Sequence, residues 1–158
     1  MEHQYGSIYM AVGKLEATDI DAVTSTSTEV QDLQPKVAVG TFDAANTAYV
    51  DASFGTITET AIAEISNTDA NNNVYLLNLG FEVGSETPAT GSVSISGEAR
   101  GWKKIRILKN GVNYVLQYAD LDATTHSEIT ISKNAAYNFS FFSFDTEGEV
   151  FVEPEKSN

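Results

Sequence analysis

The chain contains no cysteine, and this absence removes several classes of chemistry at once. Disulfides, thiolate metal sites, iron–sulfur clusters and cysteine nucleophiles are excluded, so the fold has to rest on an apolar core. Hydrophobic runs are also short, and none approaches the roughly 20 apolar residues of a membrane-spanning helix. The first residues lack the basic and apolar regions of a secretory leader. We therefore expect a chain of about one domain, made in the cytoplasm and without a membrane partner.

Histidine is almost as scarce, because His3 and His126 are the two imidazoles of the chain. His3 lies near the N-terminus, and His126 lies in a polar run that marks no catalytic partner. The motifs G-x-S-x-G and H-E-x-x-H and a phosphate-binding glycine loop are missing. A carboxylate pair for glycoside hydrolysis stays open among the 22 acidic residues, but no feature selects one pair. We predict no catalytic residue, no enzymatic activity and no cofactor.

Acidic side chains are plentiful, which raises the question of a calcium site. Asp120 and Asp122 form a D-x-D pattern, and Asp145, Glu147 and Glu149 lie around a glycine turn. Such oxygen ligands suit Ca²⁺, although neither segment matches the EF-hand loop. Aspartates in turns more often accept hydrogen bonds from nearby backbone groups. The prediction is that no residue binds a metal, and a structural calcium site is the alternative.

Basic residues are scarce and lie close together in a chain of formal net charge -13. Five of the nine occur within residues 100–109, and this basic stripe comprises Arg100, Lys103, Lys104, Arg106 and Lys109. The acidic remainder of the chain would repel nucleic acid, so we expect none as a partner. We predict that the stripe binds acidic loops of another copy. The alternatives are solvated cations that discourage edge pairing and an anionic polysaccharide stacked on Trp102.

Two-residue alternation recurs along the chain and predicts an all-β fold. It is clearest at residues 74–83, where Tyr75, Leu77 and Leu79 share one face of a half-buried strand. Further strands are predicted at 92–97, 127–132 and 137–144, and weaker ones near 36–42, 47–54, 56–65 and 149–153. About ten short strands at this spacing predict an antiparallel β-sandwich of immunoglobulin-like or jelly-roll type.

A β-hairpin is predicted where Asn110 and Gly111 separate two alternating segments. A two-residue type I′ turn at these residues would place Lys109 opposite Val112. The predicted core face then comprises Ile105, Ile107, Tyr114 and Leu116. Lys104 and Arg106 fall on the opposite face, which we therefore expect to point outward, because a slip by one residue would bury these cations.

The first 35 residues differ from the rest in composition. A strand with Ile8, Met10 and Val12 on one face precedes a stretch rich in threonine, serine and aspartate. We predict an N-terminal arm and linker over residues 1–35 and a β-sandwich domain over 36–158, with the arm exchanged between neighbouring copies. The alternatives are a strand at the edge of its own sheet and a short helix at 17–23 or 28–33.

Residues 92–145 resemble the immunoglobulin-like and fibronectin-like sandwiches of bacteriophage virion proteins and bacterial surface proteins. The features that carry the resemblance are Trp102 at the start of a strand, the turn at 109–111, Tyr114 and Tyr118 after it, and the strand at 137–139. Size, composition and the N-terminal arm are more similar to the phage group. The chain lacks the cysteine pair of antibody domains, and no functional residue follows from the resemblance.

We therefore predict a non-enzymatic structural subunit of a repeated assembly, namely a capsid decoration, tail or fibre component of a phage virion. Its partners would be further copies of itself and other virion proteins, and its location the virion. The alternative is a carbohydrate-binding or adhesin module of a bacterial surface or secreted protein. The predicted subunit interface comprises Ile8, Met10, Val12, Arg100, Trp102, Lys104 and Arg106.

Overall fold

The computed structural model describes residues 10–39, 44–51, 60–82, 84–85, 87, 89–91, 97–137 and 139–152. This part of the chain forms two antiparallel sheets and little helix, which confirms the all-β class. The immunoglobulin-like or jelly-roll arrangement stays a prediction. Ile8 and almost all of the strand predicted at 92–97 lie outside the described residues. No helix within the described ranges has the length and apolarity needed to cross a membrane.

The main sheet has five strands in sequential order, and each strand is antiparallel to its neighbours. In chain order these are β1 (Ala11–Lys14), β2 (Val74–Asn78), β3 (Trp102–Asn110), β4 (Asn113–Asp120) and β5 (Ser127–Ile131). Strands β1 and β5 are its two edges. The first strand thus adds to its own sheet, which is the alternative to an exchanged arm.

A second, two-stranded sheet pairs β6 (Phe141–Ser143) with β7 (Gly148–Val150). Phe142 packs against Tyr118 of the main sheet, with ring centroids 5.0 Å apart. The strand predicted at 137–144 is present but shorter, since the structure has a three-residue hairpin strand there, and the aromatic side chains of Phe142 and Phe144 pack on the main sheet.

Three of the weaker strand predictions differ from the structure. Residues 44–49 form a 3₁₀ helix where a strand was predicted at 47–54. The described parts of 36–42 and 56–65 contain no strand. The β-branched and aromatic side chains of these segments favour strands, but strand propensity depends strongly on context and did not decide their conformation.

The β3–β4 hairpin is confirmed, but its register differs from the predicted one by two residues. Asn110 pairs with Asn113, and Lys109 lies opposite Tyr114 instead of Val112. Gly111 has a φ of 62° and is the first of the two central residues, as in a type II′ turn. Because side chains alternate with a period of two, the shift leaves every residue on its predicted face.

The main sheet is buried on both faces. One face carries the predicted core, which contains Val12, Tyr75, Leu77, Leu79, Ile105, Leu116 and Tyr118. The other face packs against a second cluster of Leu15, Ile20, Val23, Val30, Val74, Leu76 and Leu121. Residues 15–37 supply four of these seven side chains, so this segment covers the sheet and is not the flexible linker that its composition predicted.

The covering segment contains one helix, α1 (Thr28–Leu33), which confirms one of the two alternative helix positions. Val30 is its buried residue, with no exposed surface. Close to the helix, Gly13 of β1 lies so near Leu33 and Val37 that an added Cβ would approach their side chains to within 2.8 Å and 2.7 Å. Glycine at this position therefore allows the segment to lie directly against the sheet.

Candidate functional site

Lys104 is the residue on which the predicted basic stripe most depended, and it is completely buried, with 0% of its surface exposed. Its Nζ donates hydrogen bonds to the backbone carbonyls of Val23 and Ala123, the latter at 2.6 Å. The prediction that Lys104 points outward is wrong. It faces residues 15–37, which cover this side of β3.

Two arginines of the stripe are also bound within the chain. Arg106 donates from Nε to the carbonyl of Asn72 at 2.9 Å and from Nη2 to the carbonyl of Asp69 at 2.7 Å. Arg100 forms ion pairs with Glu82 at 3.3 Å and with Asp145 at 3.2 Å. Arg106 therefore positions a loop, and the charge of Arg100 is matched by acids of its own protomer.

Lys103 pairs directly across the hairpin with Asp120, at 2.7 Å between Nζ and Oδ1. Lys109 is half-buried, and it forms no ion pair with any described residue. Four of the five cations are thus engaged within the protomer. The stripe is therefore largely a set of contacts within the protomer, and Lys109 is the cation outside this set.

The Lys104 ammonium lies in a polar cluster at one end of the second core. Burial lowers its pKa, and the carboxylates of Asp21, Asp122 and Asp19 act in the opposite direction. Asp122 accepts a hydrogen bond from the backbone N–H of Ser25 at 2.8 Å, and the side chain of Ser25 together with this backbone contact lowers the pKa of the Asp122 carboxyl group. These contacts fasten residues 19–25 to the end of the main sheet.

His126 belongs to the same cluster and lies between two carboxylates. Its Nδ1 is 2.9 Å from Asp21 and its Nε2 is 3.3 Å from Glu128. Gln117 donates to Glu128 at 2.7 Å, while its buried Oε1 has no hydrogen-bond partner among the described residues. With carboxylates at both ring nitrogens, this arrangement links residue 21 to the end of the main sheet. The sequence could not indicate it, because Asp21 lies 105 positions away.

The predicted calcium ligands do not come together as a site. Asp120 binds Lys103, and Asp122 binds the backbone of Ser25. Over the described ranges, no group of three or more histidine or acidic side chains is arranged to hold a metal ion.

The His126 contacts predict a pH-dependent contribution to stability. The hydrogen bond to Asp21 raises the pKa of His126 above its ordinary 6.5, with Glu128 adding to this effect against burial. The stabilisation should be fully present below pH 6.5 and should decline as the pH rises through the folded-state pKa. The free energy of unfolding of the protein should exceed that of the His126→Gln variant by more at pH 6 than at about pH 8.5.

A titration of the imidazole by nuclear magnetic resonance tests this directly, with the signal assigned by its loss in His126→Gln. The midpoint should lie above 6.5 and should fall in an Asp21→Asn variant. A midpoint at or below 6.5 would show that the Asp21 contact does not persist in solution.

An open groove, lined in part by Ile131 at the end of β5, has a volume of about 720 Å³. Its lining includes Ile65, Ile107, Tyr114, Ile131, Lys133, Asn134, Tyr137, Phe139 and Ser140. Next to it, Phe139 is 47% exposed and Phe151 is 72% exposed. Exposed aromatic surface of this kind is typical of binding surfaces.

The charge of this region is unusual for the chain. Residues 129–144 contain Lys133 and no acidic residue, in a protein with 22 acids. Lys133 lies over the ring of Tyr114, with Nζ 5.4 Å from the centroid. We call the cavity the acid-free groove. The absence of acids at 129–144 is the sequence signal that could have identified it, whereas the cluster of cations at 100–109 predicted a different surface.

Most of the predicted interface residues belong to the core. Val12 lies in the first core cluster, Met10 packs against that cluster, and Trp102 packs against the second. Lys104 is fully buried and Arg106 holds a loop. Comparison of the chain with protein-family models, curated proteins and solved structures finds no match.

Proposed function

We propose that this protein is a non-enzymatic subunit of a repeated assembly of identical chains, joined through the β5 edge and the acid-free groove. The observation that carries the proposal is the position of β5. Among the described strands β5 pairs with β4 alone. Its last residue, Ile131, also lines the groove. An edge strand beside exposed apolar surface is a template for pairing with another chain.

The surface of β5 supports this proposal. The strand has the sequence SEITI, which contains no proline and no lysine. Proline and lysine commonly protect an edge strand from pairing with another chain. The single charged residue of β5 is Glu128. The opposite edge differs, because all of β1 apart from Lys14 is buried.

Charge favours a second copy as the occupant of the groove. Two chains of net charge -13 repel each other over most of their surfaces. This repulsion is weakest where a surface has few acids, and residues 129–144, which supply most of the groove lining, contain none. Contact there also removes exposed aromatic side chains from water, which is the main favourable contribution to association.

The setting that we propose is a phage virion, on the basis of the resemblance of residues 92–145 to virion sandwiches. A glycan-binding module of a bacterial surface protein is the second candidate. It is favoured by the combination of Tyr114, Tyr137 and Phe139 with the polar side chains of Asn134 and Ser140 in one groove. Aromatic faces with nearby hydrogen-bonding groups are typical of pockets for small ligands.

Size-exclusion chromatography with light scattering across a concentration series tests self-association. Phe139→Glu should weaken it by about tenfold or more, because the change adds a carboxylate to the apolar contact. Val112→Glu is the matched control, since Val112 is 81% exposed and does not line the groove. Both variants should retain the thermal stability of the original chain.

Two outcomes would contradict the proposal. A chain that remains monomeric at every concentration has no assembly through β5. Equal weakening by Phe139→Glu and Val112→Glu would show that added negative charge alone, without regard to position, drives the copies apart. If the monomer binds glycans and Phe139→Glu removes this binding, the second candidate function is correct.

A further inference from the structure

We propose that two copies associate about a two-fold axis through antiparallel pairing of β5 with the partner's β5, centred on Ile129. This inference rests on the proposed function and specifies its geometry. It joins two five-stranded sheets into one continuous sheet, with an acid-free groove on each side of the axis.

We pair β5 with the partner's β5 because the two edge strands of the main sheet differ in exposure. A head-to-tail contact would pair β5 of one copy with β1 of the next. However, β1 has four residues, three of them buried, and it contacts the 3₁₀ helix at 44–49. In β5, Ser127, Glu128 and Thr130 are exposed, so among the described strands this is the edge that a second copy can reach. A surface that pairs with itself generates a closed dimer.

The register follows from strand length and charge. Centring on Ile129 pairs all five residues of β5, so that Ser127 faces Ile131 and Glu128 faces Thr130 of the other copy. Centring on Glu128 would place two carboxylates directly opposite each other, which is destabilising. The register centred on Ile129 therefore combines the longest ladder with no like-charge pair.

The side-chain faces agree with this arrangement. Ile129 and Ile131 pack against the first core cluster, on the same face as the groove residue Ile107. In an antiparallel ladder, directly paired residues lie on the same face of the sheet. The apolar faces of the two copies would thus be continuous across the axis, while Glu128 and Thr130 would share the other face.

Cysteine cross-linking provides a sharp test, because the chain contains no cysteine and any disulfide must join two copies. Ile129→Cys should form a covalent dimer on mild oxidation, since opposed Cα atoms in a ladder lie about 4.5–5.5 Å apart. Thr130→Cys is the matched control. Its two copies would lie roughly 8 Å apart, beyond the reach of a disulfide.

Ile129 is half-buried, so a second pair of variants avoids the core. Glu128→Cys and Thr130→Cys are both at exposed positions and should cross-link with each other when mixed, more than either does alone. Cross-linking of Thr130→Cys alone would place the axis at Thr130 and overturn the proposed register.

Light scattering of the original chain distinguishes failure of the proposed β5 pairing from failure of the proposed assembly function. An oligomer that gives no cross-link in any of these experiments would overturn the two-fold β5 pairing and leave the assembly function intact. A monomer at all concentrations would overturn both. Preferential cross-linking of Ile129→Cys and of the mixed pair, with thermal stability retained, would establish the register.

Discussion

Replacement of Lys104 by glutamate is expected to prevent stable folding. The new carboxylate would be buried beside the carbonyl oxygens of Val23 and Ala123, in the field of Asp19, Asp21 and Asp122. Removing one partner from a buried charged contact costs about 3–5 kcal/mol, and reversing the charge adds repulsion to this loss. Small domains have about 5–15 kcal/mol of stability in total. Circular dichroism at 20 °C and a urea titration would measure the effect.

Two further variants show whether the loss of stability comes from the change of charge or from the buried position of Lys104. Lys104→Met keeps the apolar part of the side chain but leaves two carbonyl oxygens without a hydrogen-bond donor. Each unsatisfied oxygen should lower the free energy of unfolding by about 1–3 kcal/mol. Lys109→Glu reverses a charge on the same strand, at a half-buried residue without an ion pair to the described residues, and should change stability by no more than about 0.5 kcal/mol. Equal stability of Lys104→Glu and Lys109→Glu would show that Lys104 is exposed in solution.

Deletion of residues 1–35 is expected to unfold the remainder of the chain. The deletion removes β1 from the sheet together with Leu15, Ile20, Val23 and Val30 from the second core. It would expose Val74 and Leu76, which are completely buried, and would leave Lys104 without one of its carbonyl partners. Loss of the β signal in circular dichroism and of cooperative melting is the expected result. A folded fragment 36–158 would instead support a separate N-terminal arm.

A point substitution tests the same contact without shortening the chain. Val30→Asp places a carboxylate at a position with no exposed surface and should cost about 3–5 kcal/mol. Gln31→Asp introduces the same group at the next, exposed residue of α1 and is the matched control. Similar melting temperatures for these two variants would mean that α1 does not pack on the sheet.

These expectations change the physical basis proposed for assembly. The basic residues of β3 are used within the protomer, where they hold the covering segment, the loop at Asp69 and the β3–β4 hairpin. Residues 129–144, which contain no acid, begin in the edge strand β5 and supply most of the groove lining. Low negative charge, rather than positive charge, is therefore the basis on which we propose that strongly acidic copies meet there.

Much of the β architecture could be predicted because it depends on neighbouring residues. Alternation along 74–83 and 127–132 identified β2 and β5, and the glycine at 111 identified the hairpin. The turn register was wrong by two residues, since both I′ and II′ turns accept glycine and differ in which position it occupies. The faces were nevertheless correct, because an even shift preserves them.

The burial of the second face could not be predicted in the same way. A lysine and an arginine at alternate positions of β3 are typical of a solvated surface, and local patterns contain no information about a segment 81 positions away that covers them. Val74 and Leu76 were visible as apolar residues on the supposed polar face of β2, and they were the available indication that this face is also covered.

By itself, the sequence determined the all-β class, the β3–β4 hairpin and its core face, because side-chain periodicity and turn chemistry act over a few residues. Only the tertiary structure decided that residues 15–37 cover the sheet, that Lys104 and His126 hold them there, and that β5 pairs with a single neighbour among the described strands. These features depend on contacts between residues distant in the chain, whose free energy arises from burial and desolvation after the chain has folded.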